Sequence, residues 1–466
     1  MEKQIKSNNI FSMIFMGIAY FLSYICAKLF FGRVVVKNQN KVPTSGPIIF
    51  VANHRNMILD PGMIRYSCNR NLYYLAKHTL FSNKIQNWIL RKAGGIPVYR
   101  REDDPKLISK NKDTFELAYN LFEDGKCLIL FPEGVSLASR TLLKIKTGAA
   151  RIALNAELKN KFTLNLKIIP IGLNYSDASR FKSEVYIQYG DAICLSEYKG
   201  IKENDFYLTV DKITRDIENS LLNLTTNLSF IDFEDTIAYL EIIYKNELFL
   251  KNSLGKKRAY DDFAISKEII DVVESYLKEN PHLKDHFVQM TNKYMRFLEK
   301  LKLDDRFILS KGDRKPRILP EKPLKAIWFL LQFPIYCYGL INNIIPYTIS
   351  ATEVYTKSID EVELGQYKFF IGGAIFSLFY LIQVSLFFYF TDNIFYVFIY
   401  FLLLIPTGNF ALNYHSNIMS YLKHYRLFRI FSKRRDIIED LEKKRKEIIE
   451  FIIIAKKAYK RLDISG

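Results

Sequence analysis

Polar residues that could carry out chemistry follow directly after apolar runs that predict strands. Four groups stand in such places: Asn53-His54 after Ile48–Ala52, Arg100-Arg101 after Ile96–Tyr99, Pro132-Glu133-Gly134 after Cys127–Phe131, and Asn174 after Lys167–Leu173. In open α/β sheets, ligand sites lie outside the carboxyl ends of the strands. We therefore expect a histidine, two arginines and a carboxylate to converge at one edge, a set suited to proton transfer and to binding an anionic substrate.

His54 and Asp60 are the candidate proton-transfer pair. An imidazole titrates near neutral pH, and a nearby carboxylate can orient it and stabilise its charged form. Their separation is about 240° around a continuous helix, so the two side chains can meet only if His54 lies in a turn and Asp60 in the first turns of a helix. The alternative is that His54 caps the entry to that helix.

The elements that must position these residues alternate between residue 33 and about residue 200. The predicted strands and helices are Val34–Val36, Ile48–Ala52, Leu72–Leu75, Ile96–Tyr99, Cys127–Phe131, Lys167–Leu173 and Val185–Gln188 for strands, and Lys84–Lys92, Lys106–Glu123 and Gly148–Lys159 for helices. Such alternation predicts an α/β fold with a mostly parallel sheet and flanking helices.

Four short motifs follow one another in this region: Asn53-His54 with Asp60, Gly95-Ile96-Pro97-Val98-Tyr99-Arg100, Phe131-Pro132-Glu133-Gly134 and Ile169-Pro170-Ile171-Gly172. Together they resemble the motifs of the glycerophospholipid acyltransferase superfamily, over roughly residues 33–195. The segments Tyr74–Lys77 and Lys146–Ala150 also resemble family segments. The resemblance implies a PlsC-like acyltransferase fold.

The spacing of the first motif departs from the usual pattern. Five residues, Arg55 to Leu59, separate His54 from Asp60, one more than is usual in the family. Fungal-type glycerol-3-phosphate/dihydroxyacetone-phosphate acyltransferases are similar to this chain in that longer spacing, in a helical insert and in late hydrophobic segments. The chain therefore resembles that branch most.

The resemblance implies transfer of a fatty acyl group from acyl-CoA or acyl-carrier protein to a glycerol hydroxyl. His54 is implied to take the hydroxyl proton while Asp60 orients the imidazole, without a covalent intermediate. Arg100 is implied to bind the acceptor phosphate, which a guanidinium can do bidentately. Glu133 and Gly134 are implied to shape the acceptor pocket.

Three further cations are substrate-binding candidates. Lys77 and Arg101 are inferred from their charge, and Lys146 could meet phosphates of the acceptor or of CoA. For each of the three, a solvated surface role is the alternative. No cofactor is expected, because the sequence has no nucleotide-binding glycine loop. His282 and His286 are spaced like helical metal ligands but lack an HExxH pattern, so no metal site is expected.

Length, net charge and cysteine content limit the classes of binding partner that the protein can have. The 466 residues exceed the about 250–300 at which a single core stops growing, and the net charge of +18 favours an anionic partner. No nucleic-acid motif occurs, so the expected partners are the thioester donor, a phosphate-bearing acceptor and membrane lipid. The five cysteines are scattered without a CxxC pair, which argues against a disulfide framework.

Apolar residues are concentrated near the N-terminus and in 326–410. The predicted organisation is as follows: 1–32 membrane anchor or interfacial helices, 33–200 acyltransferase domain, 201–320 helical accessory region, 321–410 hydrophobic membrane region, 411–466 basic helical cytoplasmic tail. Phe369–Phe390 is a transmembrane candidate, and Ile394–Pro406 runs back but is short for a span. Ala326–Ile345 contains Pro334, Asn342 and Asn343 and is followed by Pro346, which suits a kinked, re-entrant or interfacial segment better than a lipid-facing span.

The distribution of basic residues predicts which side of the membrane the C-terminal tail occupies. Residues 421–461 carry 14 Lys/Arg against six Asp/Glu, and such an excess favours the cytoplasmic side. We therefore expect an integral membrane protein with the catalytic domain and the basic tail on the cytoplasmic face.

Two enzyme functions remain open at this point, with a non-catalytic one behind them. The first is acylation of the sn-1 hydroxyl of glycerol-3-phosphate or dihydroxyacetone phosphate in phospholipid biosynthesis. The second is acylation of lysophosphatidate or another lysophospholipid. A non-catalytic lipid-binding protein is less favoured, because His54, Asp60, Arg100 and Glu133 are all present.

Overall fold

The computed structural model describes Gly17, Tyr24 and residues 31–56, 59–100, 104–136, 140–177, 183–199, 205–228, 233–251, 259–301, 303–309, 323–356, 361–433 and 435–465. Arg101 and most of the expected anchor at 1–32 lie outside these residues. The chain divides into two compact units. The first comprises Met1–Ile231, Arg258–Phe263 and Glu361–Gln366; the second comprises Asp232–Lys257, Ala264–Asp360 and Tyr367–Gly466.

One sheet organises the first unit. Its strands are β1 Arg33–Lys37, β2 Ile48–Ala52, β3 Leu72–Lys77, β4 Gly95–Val98, β5 Cys127–Leu130, β6 Lys167–Tyr175, β7 Glu184–Tyr189 and β8 Ile193–Cys194. Their order is β1-β7-β6-β2-β5-β3-β4, with β8 also paired to β6. Only the pairings of β6 with β7 and with β8 are antiparallel among the described strands. The expected mostly parallel α/β sheet is confirmed.

Strand β2 lies in the middle of the sheet because its sequence suits burial on both faces. All five of its residues, Ile-Ile-Phe-Val-Ala, are buried. A continuous apolar run of this kind is typical of a parallel strand covered by helices on both sides. The carboxyl end of β2 is therefore held rigidly, with β5 on one side and β6 on the other.

Five helices of the first unit connect or flank these strands: α1 Leu59–Ser67, α2 Lys84–Lys92, α3 Asn111–Glu123, α4 Gly148–Lys159 and α5 Phe206–Leu224. Helices α2 and α4 have the predicted bounds. Helix α5 falls in the region predicted as accessory, yet it belongs to the first unit. Its buried face includes Val210, Ile213 and Leu221, which join the hydrophobic core beside the sheet.

The second unit is helical, as expected for the accessory, membrane and tail regions. Its helices are α6 Glu234–Lys251, α7 Ala259–Glu279, α8 Lys284–Leu301, α9 Asp305–Leu309, α10 Pro323–Leu331, α11 Phe333–Thr356, α12 Glu361–Thr391, α13 Ile394–Lys433 and α14 Arg435–Ser465, although the first residues of α7 and α12 fall in the first unit. Two stretches, Ile371–Thr391 and Ile394–Met419, are long and apolar enough to cross a membrane.

The sequence underestimated two apolar helices. Helix α13 continues well beyond Pro406, so the return segment is not short. Helix α11 continues through Pro346. A proline lacks an N–H and so leaves the carbonyl four residues earlier without its helical donor. Here that carbonyl belongs to Asn342, and it accepts a hydrogen bond from Gln383 Nε2 at 2.9 Å. A side chain from α12 thus replaces the missing donor, and the helix is preserved.

A buried ionic cluster joins helices α6, α8, α9 and α14 of the second unit. Arg445 Nε donates to Asp305 Oδ1 at 2.9 Å, and another guanidinium nitrogen donates to Glu247 Oε2 at 2.7 Å. The Tyr294 hydroxyl also donates to Asp305 Oδ1, at 2.6 Å, and Asn246 donates to Oδ2 at 2.9 Å. The side chain of Asp305 is fully buried, so these bonds replace its hydration.

Candidate active site

His54 and Asp60 meet at the carboxyl end of β2. His54 lies in the turn just after the strand, and Asp60 is the second residue of α1. The distance from His54 Nδ1 to Asp60 Oδ2 is 2.9 Å. The geometry that the sequence required, a turn followed by the start of a helix, is what brings the two together. The five-residue spacing is therefore compatible with contact.

The start of α1 fixes the Asp60 carboxylate. Its Oδ2 accepts the backbone N–H groups of Arg55 and Asn56 at 2.9 and 2.8 Å. Its Oδ1 accepts the hydroxyl of Tyr175 at 2.5 Å. Asp60 is fully buried, and with all these donors it is held in one orientation toward His54.

Tyr175 is a site residue that the sequence analysis missed. It is the last residue of β6, one position beyond Asn174, which the sequence analysis did select. Neighbouring residues of a strand point to opposite faces of the sheet, so only one of the two can face Asp60. Burial, followed by the negative charge of Asp60, raises the pKa of the Tyr175 hydroxyl well above its usual value, so the group remains a hydrogen-bond donor. Strand periodicity would have indicated that the residue beside Asn174 needed testing as well.

Two asparagines selected from the sequence do not face the reacting groups. Asn53 forms paired hydrogen bonds with the backbone N–H and C=O of Leu173, at 2.7 and 2.9 Å. Asn174 donates to the carbonyl of Leu224 and accepts the N–H of Thr226. The first asparagine joins β2 to β6, and the second holds the end of α5. Their amides are thus occupied in positioning the backbone.

Glu133 lies next to His54 but acts on its backbone. Its Oε1 accepts the N–H of His54 at 2.7 Å, and its Oε2 accepts the N–H of Leu143 at 3.1 Å. Glu133 is 4% exposed. Burial raises the pKa of its carboxyl group, although the two N–H donors oppose that shift. Glu133 therefore ties the histidine turn to the loop that follows β5.

The His54 ring is also held by stacking. Its centroid lies 4.0 Å from that of Phe131, with 17° between the ring planes. Phe131 directly follows β5, so the neighbouring strand fixes the plane of the imidazole. With Asp60 ionised, Nδ1 carries the proton and Nε2, on the far side of the ring, has a lone pair available to accept one. The arrangement can thus serve as a general base.

Gly134 and Lys146 are in direct contact. Gly134 has φ +77°, a conformation that residues with a Cβ rarely adopt, and a Cβ there would lie 2.8 Å from Lys146 Nζ. The backbone N–H of Lys146 donates to the carbonyl of Pro132. The ammonium group is therefore placed over the Pro-Glu-Gly loop, next to the residue that holds the histidine turn.

Lys77 and Arg100 stand farther along the same edge of the sheet. Lys77 ends β3, and Arg100 comes two residues after β4, where a paired hydrogen bond between Asn111 and the Tyr99 backbone fixes the chain. Neighbouring strands are about 4.8 Å apart, which places β4 about 14 Å from β2 across β5 and β3. Both cations therefore lie to one side of His54.

The predicted site residues thus fall into two groups. His54, Asp60, Glu133, Gly134 and Lys146 are connected by direct contacts, and Lys77 and Arg100 lie farther along the same sheet edge. In the part of the chain that the structure describes, no group of three or more His, Cys, Asp or Glu side chains could hold a metal ion. Proton transfer by the imidazole is the chemistry that the connected group offers.

A family model and several known proteins are similar to parts of this chain. The family model described as Acyltransferase matches residues 33–174. Glycerol-3-phosphate O-acyltransferase 2 of Saccharomyces cerevisiae is 26% identical over 209 residues, covering 43% of this chain and 26% of that protein. Glycerol-3-phosphate O-acyltransferase 1 of the same yeast is 21% identical over 378 residues, covering 59% and 49%. This chain thus matches a quarter to a half of the length of these yeast relatives.

Bacterial proteins are also similar to part of this chain. A 1-acyl-sn-glycerol-3-phosphate acyltransferase of Streptococcus pneumoniae is 24% identical over 194 residues, covering 40% of this chain and 66% of that protein. The crystal structure of the 1-acyl-sn-glycerophosphate acyltransferase PlsC from Thermotoga maritima matches with 19% identity and a TM-score of 0.32, covering 44% of this chain and 78% of that one. The match to the Acyltransferase family model spans the segment that contains His54, Asp60 and Glu133.

Proposed function

We propose that this protein transfers a fatty acyl group from acyl-CoA or acyl-carrier protein to the sn-1 hydroxyl of glycerol-3-phosphate or dihydroxyacetone phosphate. The observation that carries the proposal is the contact between His54 and the buried, fully hydrogen-bonded Asp60. It leaves a proton-accepting nitrogen at the sheet edge. The names of the yeast relatives support a glycerol phosphate as the acceptor.

The reaction needs one proton to move twice. His54 Nε2 takes the proton of the acceptor hydroxyl while that oxygen attacks the thioester carbonyl carbon. The carbon–sulfur bond then breaks, and the thiolate leaves with the proton returned by the imidazolium. Asp60 stabilises the imidazolium between these steps, and Tyr175 keeps Asp60 in place. No bond to the protein forms.

The acceptor phosphate is assigned to the cations along the edge. Arg100 binds the phosphate through its guanidinium. Two further cations are assigned to the same phosphate: Arg101, the next residue in the chain, and Lys77, at the end of the neighbouring strand β3. Lys146, above Gly134, binds a phosphate of the acceptor or of the donor. An acceptor held this way extends along the sheet edge toward His54, so the hydroxyl is presented to Nε2 by positioning alone.

The protein acts at a membrane in this proposal. The two apolar stretches 371–391 and 394–419 cross the bilayer, and the acyl product partitions into it. The catalytic domain and the basic tail face the cytoplasm, as the charge of residues 421–461 favours.

The test uses purified full-length protein in nanodiscs with radiolabelled acyl-CoA, and in parallel with acyl-carrier protein as donor. Glycerol-3-phosphate, dihydroxyacetone phosphate and lysophosphatidate are supplied separately, with His54→Ala as the control. Transfer to a small phosphate that is lost in His54→Ala supports the proposal. Transfer to lysophosphatidate alone supports the second enzyme function, which the name of the Streptococcus relative favours. No transfer with either donor contradicts both.

A further inference from the structure

Helix α2 presents its apolar side chains to solvent. Ile85, Trp88 and Ile89 are 72%, 49% and 45% exposed. Residues 88 and 89 follow residue 85 by three and four positions, which is about one helical turn, so the three side chains lie on one face of the helix. The helix begins firmly, because Asn83 Oδ1 accepts the N–H groups of Ile85 and Gln86. Single exposed apolar residues are common on protein surfaces, but a contiguous apolar face on a capped helix indicates a contact surface.

The surroundings of the stripe are basic. Lys84, Arg91 and Lys92 belong to the same helix, which contains no acidic residue. The excess extends along the chain, since residues 61–101 contain eight Lys or Arg and no Asp or Glu. One of the eight, Arg65, is buried and its guanidinium binds the carbonyls of Leu72 and Ala93, so it does not contribute to the surface. A partner for this surface must therefore supply apolar contact and negative charge together.

We propose that the exposed face of α2, defined by Ile85, Trp88 and Ile89, is a contact surface for an anionic lipid bilayer. An interfacial helix buries an apolar stripe at the boundary of the acyl chains while its cations meet headgroup phosphates. Tryptophan is favoured at that depth, because its ring is apolar and its N–H is polar. This contact goes beyond the proposed reaction and does not depend on it.

The position of α2 means that bilayer contact would orient the candidate active site relative to the membrane. The helix connects β3 to β4, the strands whose ends carry Lys77 and approach Arg100. Bilayer contact through α2 therefore brings the basic end of the sheet edge to the lipid surface. The domain would be oriented by this contact as well as by tethering through apolar helices elsewhere in the chain.

Fluorescence of one tryptophan tests the contact directly. The chain has two tryptophans, Trp88 and Trp328, so Trp328→Phe leaves Trp88 as the only reporter. The full-length variant is reconstituted in liposomes of phosphatidylcholine and phosphatidylserine, with or without bromine atoms on the acyl chains. We expect a loss of Trp88 fluorescence in the brominated liposomes and weak quenching by aqueous iodide.

A matched reporter on another helix provides the control. Leu158 on α4 is 40% exposed, so Leu158→Trp in a Trp88→Phe/Trp328→Phe background should be quenched by iodide and not by brominated lipid. Quenching of Trp88 by iodide alone would overturn the proposal. Protection of Trp88 from both quenchers would also overturn it, because a protein surface would then cover the stripe.

Substitutions within the stripe separate the apolar and ionic contributions. Ile85→Gln with Ile89→Gln should reduce the fluorescence loss of Trp88 in brominated liposomes, and Leu158→Gln should leave it unchanged. Lys84→Glu should reduce the loss only when phosphatidylserine is present. Unchanged quenching in the double glutamine variant would contradict the assignment of the stripe, whatever the acyl transfer activity.

Discussion

Asp60 in the first unit and Asp305 in the second are both buried carboxylates that accept a tyrosine hydroxyl. Tyr175 donates to Asp60 Oδ1 at 2.5 Å, and Tyr294 donates to Asp305 Oδ1 at 2.6 Å. The two clusters differ in the basic side chain that contacts the aspartate. Asp60 contacts His54, whose neutral imidazole has a nitrogen that can accept a proton, whereas Asp305 contacts the guanidinium of Arg445, which has only donors.

The difference indicates what each cluster can do. The Arg445 cluster is closed, because the guanidinium is also bound to Glu247 and to the carbonyl of Ile243. The His54 cluster is open on one side, since only Nδ1 of the ring is used by Asp60. In both units the buried aspartate, held by a tyrosine hydroxyl, fixes the position of a basic side chain. That side chain determines whether the cluster can transfer a proton: His54 can, and Arg445 cannot. The two clusters can be tested against each other.

The largest expected effect is on activity, at the open cluster. His54→Ala should lower kcat by about 10²–10⁴-fold, the usual contribution of a positioned general base. The melting temperature should fall by no more than several degrees, because the side chain contributes one hydrogen bond to the buried Asp60 and one ring contact. Acyl transfer with saturating donor measures the first effect, and thermal unfolding measures the second.

The matched control is another histidine. His286 is exposed on α8, so His286→Ala should retain wild-type kcat. A kcat for His54→Ala within tenfold of wild type would contradict the assignment of the base.

The next effect is on stability, at the closed cluster. Arg445→Met leaves Asp305 and Glu247 without their cation, and breaking a buried ion pair costs about 3–5 kcal/mol. Denaturant unfolding followed by helical circular dichroism measures the loss.

Lys446, the residue after Arg445, provides the control substitution. Its side chain is 77% exposed, so Lys446→Met should change the free energy of unfolding by at most about 0.5 kcal/mol. Equal losses in the two variants would mean that the cluster has no special role.

The two tyrosines offer the most direct comparison. Tyr175→Phe and Tyr294→Phe each remove a hydroxyl that donates to a buried carboxylate, and each should cost about 1.5–3 kcal/mol of stability. Only Tyr175→Phe should also alter the dependence of kcat on pH, because only its aspartate contacts the imidazole. A shift of the kcat profile in Tyr294→Phe, or none in Tyr175→Phe, would contradict the division of roles.

The smallest effect concerns Glu133. Burial raises the pKa of its carboxyl group in the folded protein, so the folded state binds this proton more tightly than the unfolded state does. The resulting stabilisation is present below about pH 4.3, the usual value for glutamate, and is lost as the pH rises through the raised pKa. The stability of wild type relative to Glu133→Gln should therefore decrease as the pH rises from about 4. A pH-independent difference would contradict the buried position.

The sequence predicted the sheet and the conditions for contact between His54 and Asp60 because both depend on local patterns. Apolar runs followed by polar residues marked β2 and β5, and the need for a turn between His54 and Asp60 was clear from helical geometry. Helix α2 was predicted with its bounds, since its apolar residues and basic end are local signals.

Contacts between distant residues could not be predicted in this way. Tyr175 reaches Asp60 across 115 positions; strand periodicity makes Tyr175 a candidate for the site but does not identify Asp60 as its partner. The same holds for Gln383, which supplies the hydrogen bond that Pro346 removes from α11. The proline was visible in the sequence and indicated a kinked, re-entrant or interfacial segment, but the side chain that replaces its missing donor lies on another helix.

The Arg445 cluster has a consequence for biosynthesis. Asp305 and Glu247 precede the apolar helices α12 and α13 in the chain, and Arg445 follows them. As the ribosome makes the protein, the buried carboxylates exist before their cation does, and they must wait until both apolar helices have been translated. The helices around Asp305 therefore cannot complete their core until helix α14 has been made, so the folding of the second unit is a late event in the synthesis of the chain.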